Sequence, residues 1–128
     1  MNKIKFSTIS TLAIIFTSLF LSACGKSKKI DVDHKMWRED LVNCGNYRKS
    51  TYKRIIKNSN EYIGILEEDI TNQLGSPDKE ALEKRMKKSI RYQVTGYDCN
   101  SSSSVKKFLV FELETLRRVR SIYVTVDN

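Results

Sequence analysis

The chain holds several runs in which apolar and polar positions alternate with a readable period. From Asp33 onward, Trp37, Leu41 and Cys44 recur at helical spacing, one face of a 3.6-residue repeat. Gly45-Asn46 interrupts the run, and Tyr52, Ile55 and Ile56 resume it until Asn58-Ser59-Asn60. One bent helix or two separate ones satisfy this spacing equally. Farther on, Leu66, Ile70 and Leu74 share a face, and three acids, Glu67, Glu68 and Asp69, stand where the positive end of a helix dipole favours negative charge. Gly75 suits a left-handed position just past a helix, and Pro77 blocks continuation, so a helix of about nine residues is predicted.

After Pro77-Asp78 the pattern changes. Lys79 to Lys88 is highly charged, and with Leu82, Met86 and Ile90 four apart it fits either a helical turn or a loop. Period-two alternation then begins: Ile90, Tyr92 and Val94 between Arg91, Gln93 and Thr95. Gly96 to Ser104 (GYDCNSSSS) is turn-forming. Phe108 to Leu113 predicts a second strand and Val119 to Val126 a third, joined by a turn over Glu114 to Arg118. Consecutive strands with short connections pair antiparallel, and the preceding helices must cover one face. The expected class is α+β in two layers, with N-terminal helices on a three-stranded antiparallel sheet in the order ααβββ. The buried face is expected to hold Ile90, Tyr92, Val94, Leu109, Phe111, Leu113, Ile122, Val124 and Val126. The opposite face is expected to show Arg91, Gln93, Thr95, Phe108, Val110, Ser121, Tyr123 and Thr125.

The first two dozen residues carry a different signal. Lys3 and Lys5 form a positive head, Ile9 to Phe20 (ISTLAIIFTSLF) is uncharged, and small residues lead into Cys24. The apolar run is short of the ~20 residues of a comfortable bilayer span. Head, core and small-residue exit together read as a secretory signal. Leu21-Ser22-Ala23-Cys24 resembles a lipobox, the cleavage site of bacterial lipoproteins. By that resemblance Cys24 carries acyl chains such as palmitate and becomes the new N-terminus. Each buried CH2 of such chains contributes about 0.8 kcal/mol, so two or three chains anchor stably. A cleaved signal followed by a chance cysteine, and an uncleaved anchor, are the competing readings. The expected organisation is a signal peptide over 1–23, a flexible lipidated tether over 24–32 and a folded domain over 33–128. Gly25 follows the cysteine where aspartate would suggest inner-membrane retention, so an outer-membrane anchor facing the periplasm is expected.

Charge and cysteines sharpen this picture. Removing residues 1–23, which hold two lysines and no acid, lowers the formal charge from +8 to +6 and leaves 105 residues, enough for one domain with a modest core. A basic surface favours anionic lipid, acidic polymer or an acidic protein. Nucleic acid is not expected of an exported protein. Lys26, Lys28 and Lys29 suit lipid headgroups as well as a solvated linker. With Cys24 lipidated, Cys44 and Cys99 form an even pair in an oxidising compartment, where a disulfide is the default. Closing so long a loop adds roughly 4 kcal/mol in the chain-entropy picture.

These features together resemble the SmpA/OmlA, or BamE-like, family of small envelope lipoproteins. Ile63-Gly64 opens the short helix, Leu74-Gly75-Ser76-Pro77-Asp78 closes it, and Tyr92 lies in the first strand that follows. Trp37, Asp40, Cys44 and Arg48 at fixed spacing look like a variant found in small lipoproteins of this fold. The resemblance runs from about Trp37 to Val126. It implies two helices on a three-stranded sheet, a fold similar also to β-lactamase-inhibitor protein domains, and a non-catalytic module supporting outer-membrane protein assembly or envelope integrity. The charged insertion after Asp78, the cysteine pair and the Ser-rich loop depart from the family.

Catalytic patterns are sparse. His34 is the sole histidine, and no Gly-x-Ser-x-Gly, His-Glu-x-x-His or phosphate-cradling glycine loop occurs. Ser101 to Ser104 has no base beside it and reads as a loop. The reading is therefore a protein that is not an enzyme and takes no cofactor, metal or small-molecule substrate. Its expected partners are the membrane, through the lipid, and an envelope protein. Candidate contact residues are Arg91, Phe108, Val110 and Tyr123 on the outer sheet face, with Arg118 and Arg120 as part of a basic edge. Cover by the Cys99 loop, or a strand shifted by one residue, would remove Phe108 and Val110 from that surface. A second function class is a periplasmic inhibitor or toxin-immunity lipoprotein.

Overall fold

The computed structural model describes residues 27–40, 44, 46–96 and 105–127. The export signal, Cys24, Leu41, Gly45, Cys99 and the Ser-rich loop lie outside the described residues. Among the described residues there are three α-helices and four strands: α1 (His34–Glu39), α2 (Asn46–Lys57), α3 (Glu67–Leu74), β1 (Lys79–Leu82), β2 (Lys88–Thr95), β3 (Lys106–Leu113) and β4 (Val119–Asp127). A 3₁₀ turn covers Ser59–Tyr62, and Lys84–Met86 form a tight turn in which Arg85 and Met86 take positive φ, +66° and +59°. The class is α+β with an antiparallel sheet, as the periodicity implies, but the sheet has four strands in the order β1-β2-β3-β4.

The extra strand is β1, in the segment that sequence alone leaves between a helical turn and a loop. It pairs only with β2, Lys79 opposite Arg91 and Leu82 opposite Lys88. As a short edge strand with mostly exposed side chains it needs no apolar alternation, and its charges protect the free edge. That is why the usual strand signal is missing.

The helical region also divides where one continuous stripe was possible. Asp33 caps α1 by accepting from Met36 N at 2.9 Å. The helix ends after Glu39, and Cys44 takes φ +61° before α2 begins. On α2, Arg48, Thr51 and Ile55 turn inward, while Tyr52 and Ile56 are half-buried at its flank. In α3, Ile70 and Leu74 are buried, and Leu66 stands outside the helix as its N-cap. Gly75 closes α3 with its N–H donating to Thr71 O at 2.9 Å, at φ +83° and ψ −174°. That is not the left-handed helical cap expected for it but a region open essentially to glycine alone. A Cβ there would come within 3.0 Å of Arg38 Cγ.

The core lies between the helices and one sheet face. Trp37, Ile55, Tyr62, Ile70 and Leu74 pack on Ile90, Tyr92, Leu109, Phe111 and Leu113. Trp37 and Phe111 each meet the Tyr92 ring edge-on, at centroid distances of 6.2 and 6.0 Å. Burying rings of this size supplies about 1.5–3 kcal/mol each, and such edge contacts add about 0.5–1.5 kcal/mol. Val126 departs from the expected buried face. It stands opposite Lys107, past the last apolar pair Leu109–Val124, and is exposed. Val119 joins the core instead, because the ladder shifts between Glu112 and Leu113 and sets Val119 opposite Leu113.

The folded body begins earlier than position 33. Ile30 and Val32, expected in the tether, belong to the core. Ile30 N donates to Gln73 Oε1 at 2.8 Å, Gln73 Nε2 donates to Lys28 O at 3.0 Å, and Asp31 N donates to the Tyr62 hydroxyl at 3.2 Å. Apolar side chains five and seven residues before Trp37 are too few to show a period, so nothing in the sequence separates them from a linker.

Candidate functional site

Two groups of polar side chains stand out once the elements are in place, one inside the fold and one at an end of the sheet. The first centres on Arg48, which is buried at 2 % exposure. Its Nε donates to Trp37 O at 2.9 Å, and its NH1 donates to Asp78 Oδ2 at 2.8 Å and to Gln93 O at 3.2 Å. The guanidinium carbon lies 5.1 Å from the Trp37 ring centre and 6.0 Å from that of Tyr92. Asp78 also accepts from Gln93 N at 2.7 Å, which locks the turn after α3 onto β2. Asp40 accepts from Tyr47 N and Arg48 N at 3.0 and 2.8 Å, so its carboxylate satisfies the open start of α2. The Tyr92 hydroxyl donates to Gly75 O at 2.8 Å, and burial holds its pKa well above the usual phenol range. Arg48 and Asp40 are buried, and Asp78 closes the cluster at the surface. The cluster is a clamp on α1, α2, the α3–β1 turn and β2, and the motif Trp37, Asp40 and Arg48 with Asp78 describes that clamp.

The second group lies where the β1–β2 and β3–β4 turns meet. Glu67, at the start of α3, accepts from Lys88 Nζ and from Arg117 NH1, the latter at 2.7 Å, and Lys88 reaches Glu80 at 3.2 Å. Burial alone would raise the Glu67 pKa, but the hydrogen bonds from Lys88 and Arg117 outweigh it and hold the carboxyl below its ordinary value. The Glu67 hydrogen bond, set against partial burial, lifts Lys88 above its ordinary value. Beside this network Arg118 donates to Gly64 O at 3.1 Å, and a shallow depression opens between Ser27, Lys28, Ile63, Leu66, Asp69 and Arg118.

The six residues singled out as a contact face do not form one surface. Phe108 and Val110 do lie on the sheet face away from the helices, yet their exposures are 1 % and 0 %. Val110 sits between Arg91 and Tyr123 on the neighbouring strands, Phe108 sits between Gln93 and Thr125, and Lys79 Nζ stands 4.6 Å from the Phe108 ring centre. With these side chains beside and over them the two residues are closed off from solvent, so they are not contact residues. Arg91 is half-buried, and its Nε is buried with no hydrogen-bond partner among the described residues. Tyr123 keeps a partly exposed ring, its hydroxyl pKa raised by burial and by Glu112 and Glu83. Arg120 faces Glu112 at 3.9 Å across the ladder shift. Arg118 is elsewhere, on the turn beside Lys28.

Among the described residues no three His, Cys, Asp or Glu side chains gather as metal ligands, and no helix is long and apolar enough to cross a membrane. His34 Nε2 lies 3.2 Å from Ile30 O, a contact within the α1 entry. Cys44 is in a disulfide, and Cys99, the partner expected from the sequence, lies outside the described residues. The outward face of the turn end gives no sequence signal of its own, since its exposed apolar tips read as ordinary loop residues. Comparison with protein-family models, curated proteins and solved structures found no match.

Proposed function

We propose that this chain is a non-catalytic lipoprotein of the bacterial envelope, held by acyl groups on Cys24 and acting as a protein-binding module of BamE-like type. The observation that carries the reading is the sequence Leu21-Ser22-Ala23-Cys24 behind a charged head and an apolar core. The geometry supports it in one respect. The polar cluster around Arg48 holds helices on the sheet, which is in keeping with action through surface contacts. In this reading the mature protein sits on the outer membrane facing the periplasm.

Intact-mass measurement of protein taken from envelopes tests the anchor. The expected mass is that of residues 24–128 plus two or three acyl chains, and Cys24→Ala is expected to leave the leader attached and the added mass absent. A bare thiol at position 24 would remove the reading. Cross-linking in the envelope tests the role: recovery of barrel-assembly components supports it, whereas recovery of one hydrolase or toxin would favour an inhibitor or immunity protein.

A further inference from the structure

The three most exposed large apolar side chains stand at one end of the molecule, while Met36, Val105, Tyr123 and Val126 are exposed to a lesser degree elsewhere. Leu82 and Met86 flank and occupy the β1–β2 turn with exposures of 80 and 82 %, and Leu116 on the β3–β4 turn is exposed at 72 %. The ladder pairs Lys88 with Leu113 and Leu113 with Val119, so the two turns stand side by side. Ile63 and Leu66, also exposed, join the same end: Gly64 N donates to Val119 O at 2.8 Å and Val119 N to Ile65 O at 2.9 Å. Glu67 ties the whole end together through Lys88 and Arg117.

The N-terminus arrives at this end as well. Ser27 and Lys28 line the depression beside Ile63, Leu66 and Arg118, and Gln73 holds the Lys28 carbonyl. Only four residue steps separate Lys28 from Cys24, a reach of at most ~14 Å at full extension. If Cys24 carries the anchor, the acyl chains enter the bilayer within that distance of Lys28, on the side of the depression that Arg118 of the β3–β4 connection also lines. We propose that this end of the domain rests on the membrane, with Leu82, Met86 and Leu116 entering the headgroup layer. The inference builds on the lipid anchor at Cys24 proposed above.

The composition of the end fits a bilayer interface. Lys84, Arg85 and Lys87 surround the Met86 tip, and Arg118 and Lys28 flank the depression. Basic side chains around an apolar tip place charge at phosphate level and the tip just beneath it. Glu68, Asp69, Glu83 and Glu114 lie at the same end, so the charge is nearly balanced and burial of the tips is the larger contribution. The occupant is therefore a mixed bilayer with a minor share of anionic lipid.

The experiment uses the full mature protein reconstituted in vesicles of brominated phosphatidylcholine with a minor share of phosphatidylglycerol. Met86→Trp, Leu116→Trp and Val126→Trp are made singly, the last at the opposite end of the sheet, and the buried Trp37 supplies a constant background. Bromolipid quenching is expected to be at least about twofold stronger at positions 86 and 116 than at 126. Equal quenching at the three positions, or none, on protein whose mass shows acylated Cys24 would overturn the surface while leaving the anchor. Bare Cys24 with quenching still confined to the turns would keep the surface and overturn the anchor. Bare Cys24 without quenching overturns both.

Discussion

Arg48 ties together Trp37, Asp78 and Gln93, three distant parts of the chain. Removing one partner of a buried charged network costs far more than the network contributes net, because the groups left behind stay desolvated. Arg48→Met is therefore expected to lower stability by about 3–5 kcal/mol in chemical denaturation, with Trp37 O and Gln93 O losing their donor. Arg48→Lys should recover only part of that loss, since an ammonium cannot reproduce the planar fork and its stacking on Trp37. Gly75→Ala tests the backbone in the same way. Its positive φ and the close approach of Arg38 predict a loss of about 1–3 kcal/mol by the same measurement. The two positions differ in how readable they are. Gly75 is flagged by its place before Ser-Pro, although its actual conformation is not. An arginine on a basic helix reads as solvent-facing, and only the spacing shared with Trp37 and Asp40 hints otherwise.

At the scale of elements, legibility follows the number of buried faces. α3 announces itself through Ile70 and Leu74 with its acidic first turn, β2 and β4 through alternation, and β3 through an apolar run over Phe108 to Leu113 broken only by Glu112. β1 touches the sheet along one edge with little buried side-chain surface, so its sequence obeys solubility rather than period. Phe108 and Val110 failed as surface candidates for the reverse reason: side chains of neighbouring strands, among them Lys79, Arg91 and Tyr123, cover them, which no one-dimensional pattern records. The junction between α3 and the two turns makes a pH prediction. Glu67 is held below its ordinary carboxyl pKa, so its contribution is complete above about pH 4.5 and disappears as pH falls through the lowered folded value. Lys88 is raised above its ordinary value, so its contribution holds below about pH 10.5 and is lost at still higher pH. Denaturation midpoints of Glu67→Gln followed across the acid range should therefore fall less steeply than those of the parent. An unchanged acid slope would show that the carboxyl does not titrate differently in the folded state.

Over the whole molecule the sequence correctly indicates a two-layer α+β body, yet it misplaces where that body starts. Ile30 packs as completely as any core residue, and Gln73 closes over the segment from both sides. Ile30→Ala is expected to cost about 2–5 kcal/mol in a melting or denaturant series, where a residue of a true linker would cost almost nothing. The cysteines add a second global constraint. If the bond at Cys44 runs to Cys99, peptide mapping without reduction will recover the two halves as one linked pair, and reduction will lower stability by about 2–4 kcal/mol.

The Arg48 clamp has a consequence for the order of events after synthesis. Its partners are separated by as many as 45 positions along the chain, from Arg48 to Gln93. The early helices thus lack their central contacts until the second half of the polypeptide is present, and closing so distant a contact slows folding. In a chain exported as proposed above, the leading helices would emerge unable to consolidate. They would stay without their central contacts until Gln93 had followed them through the translocation channel.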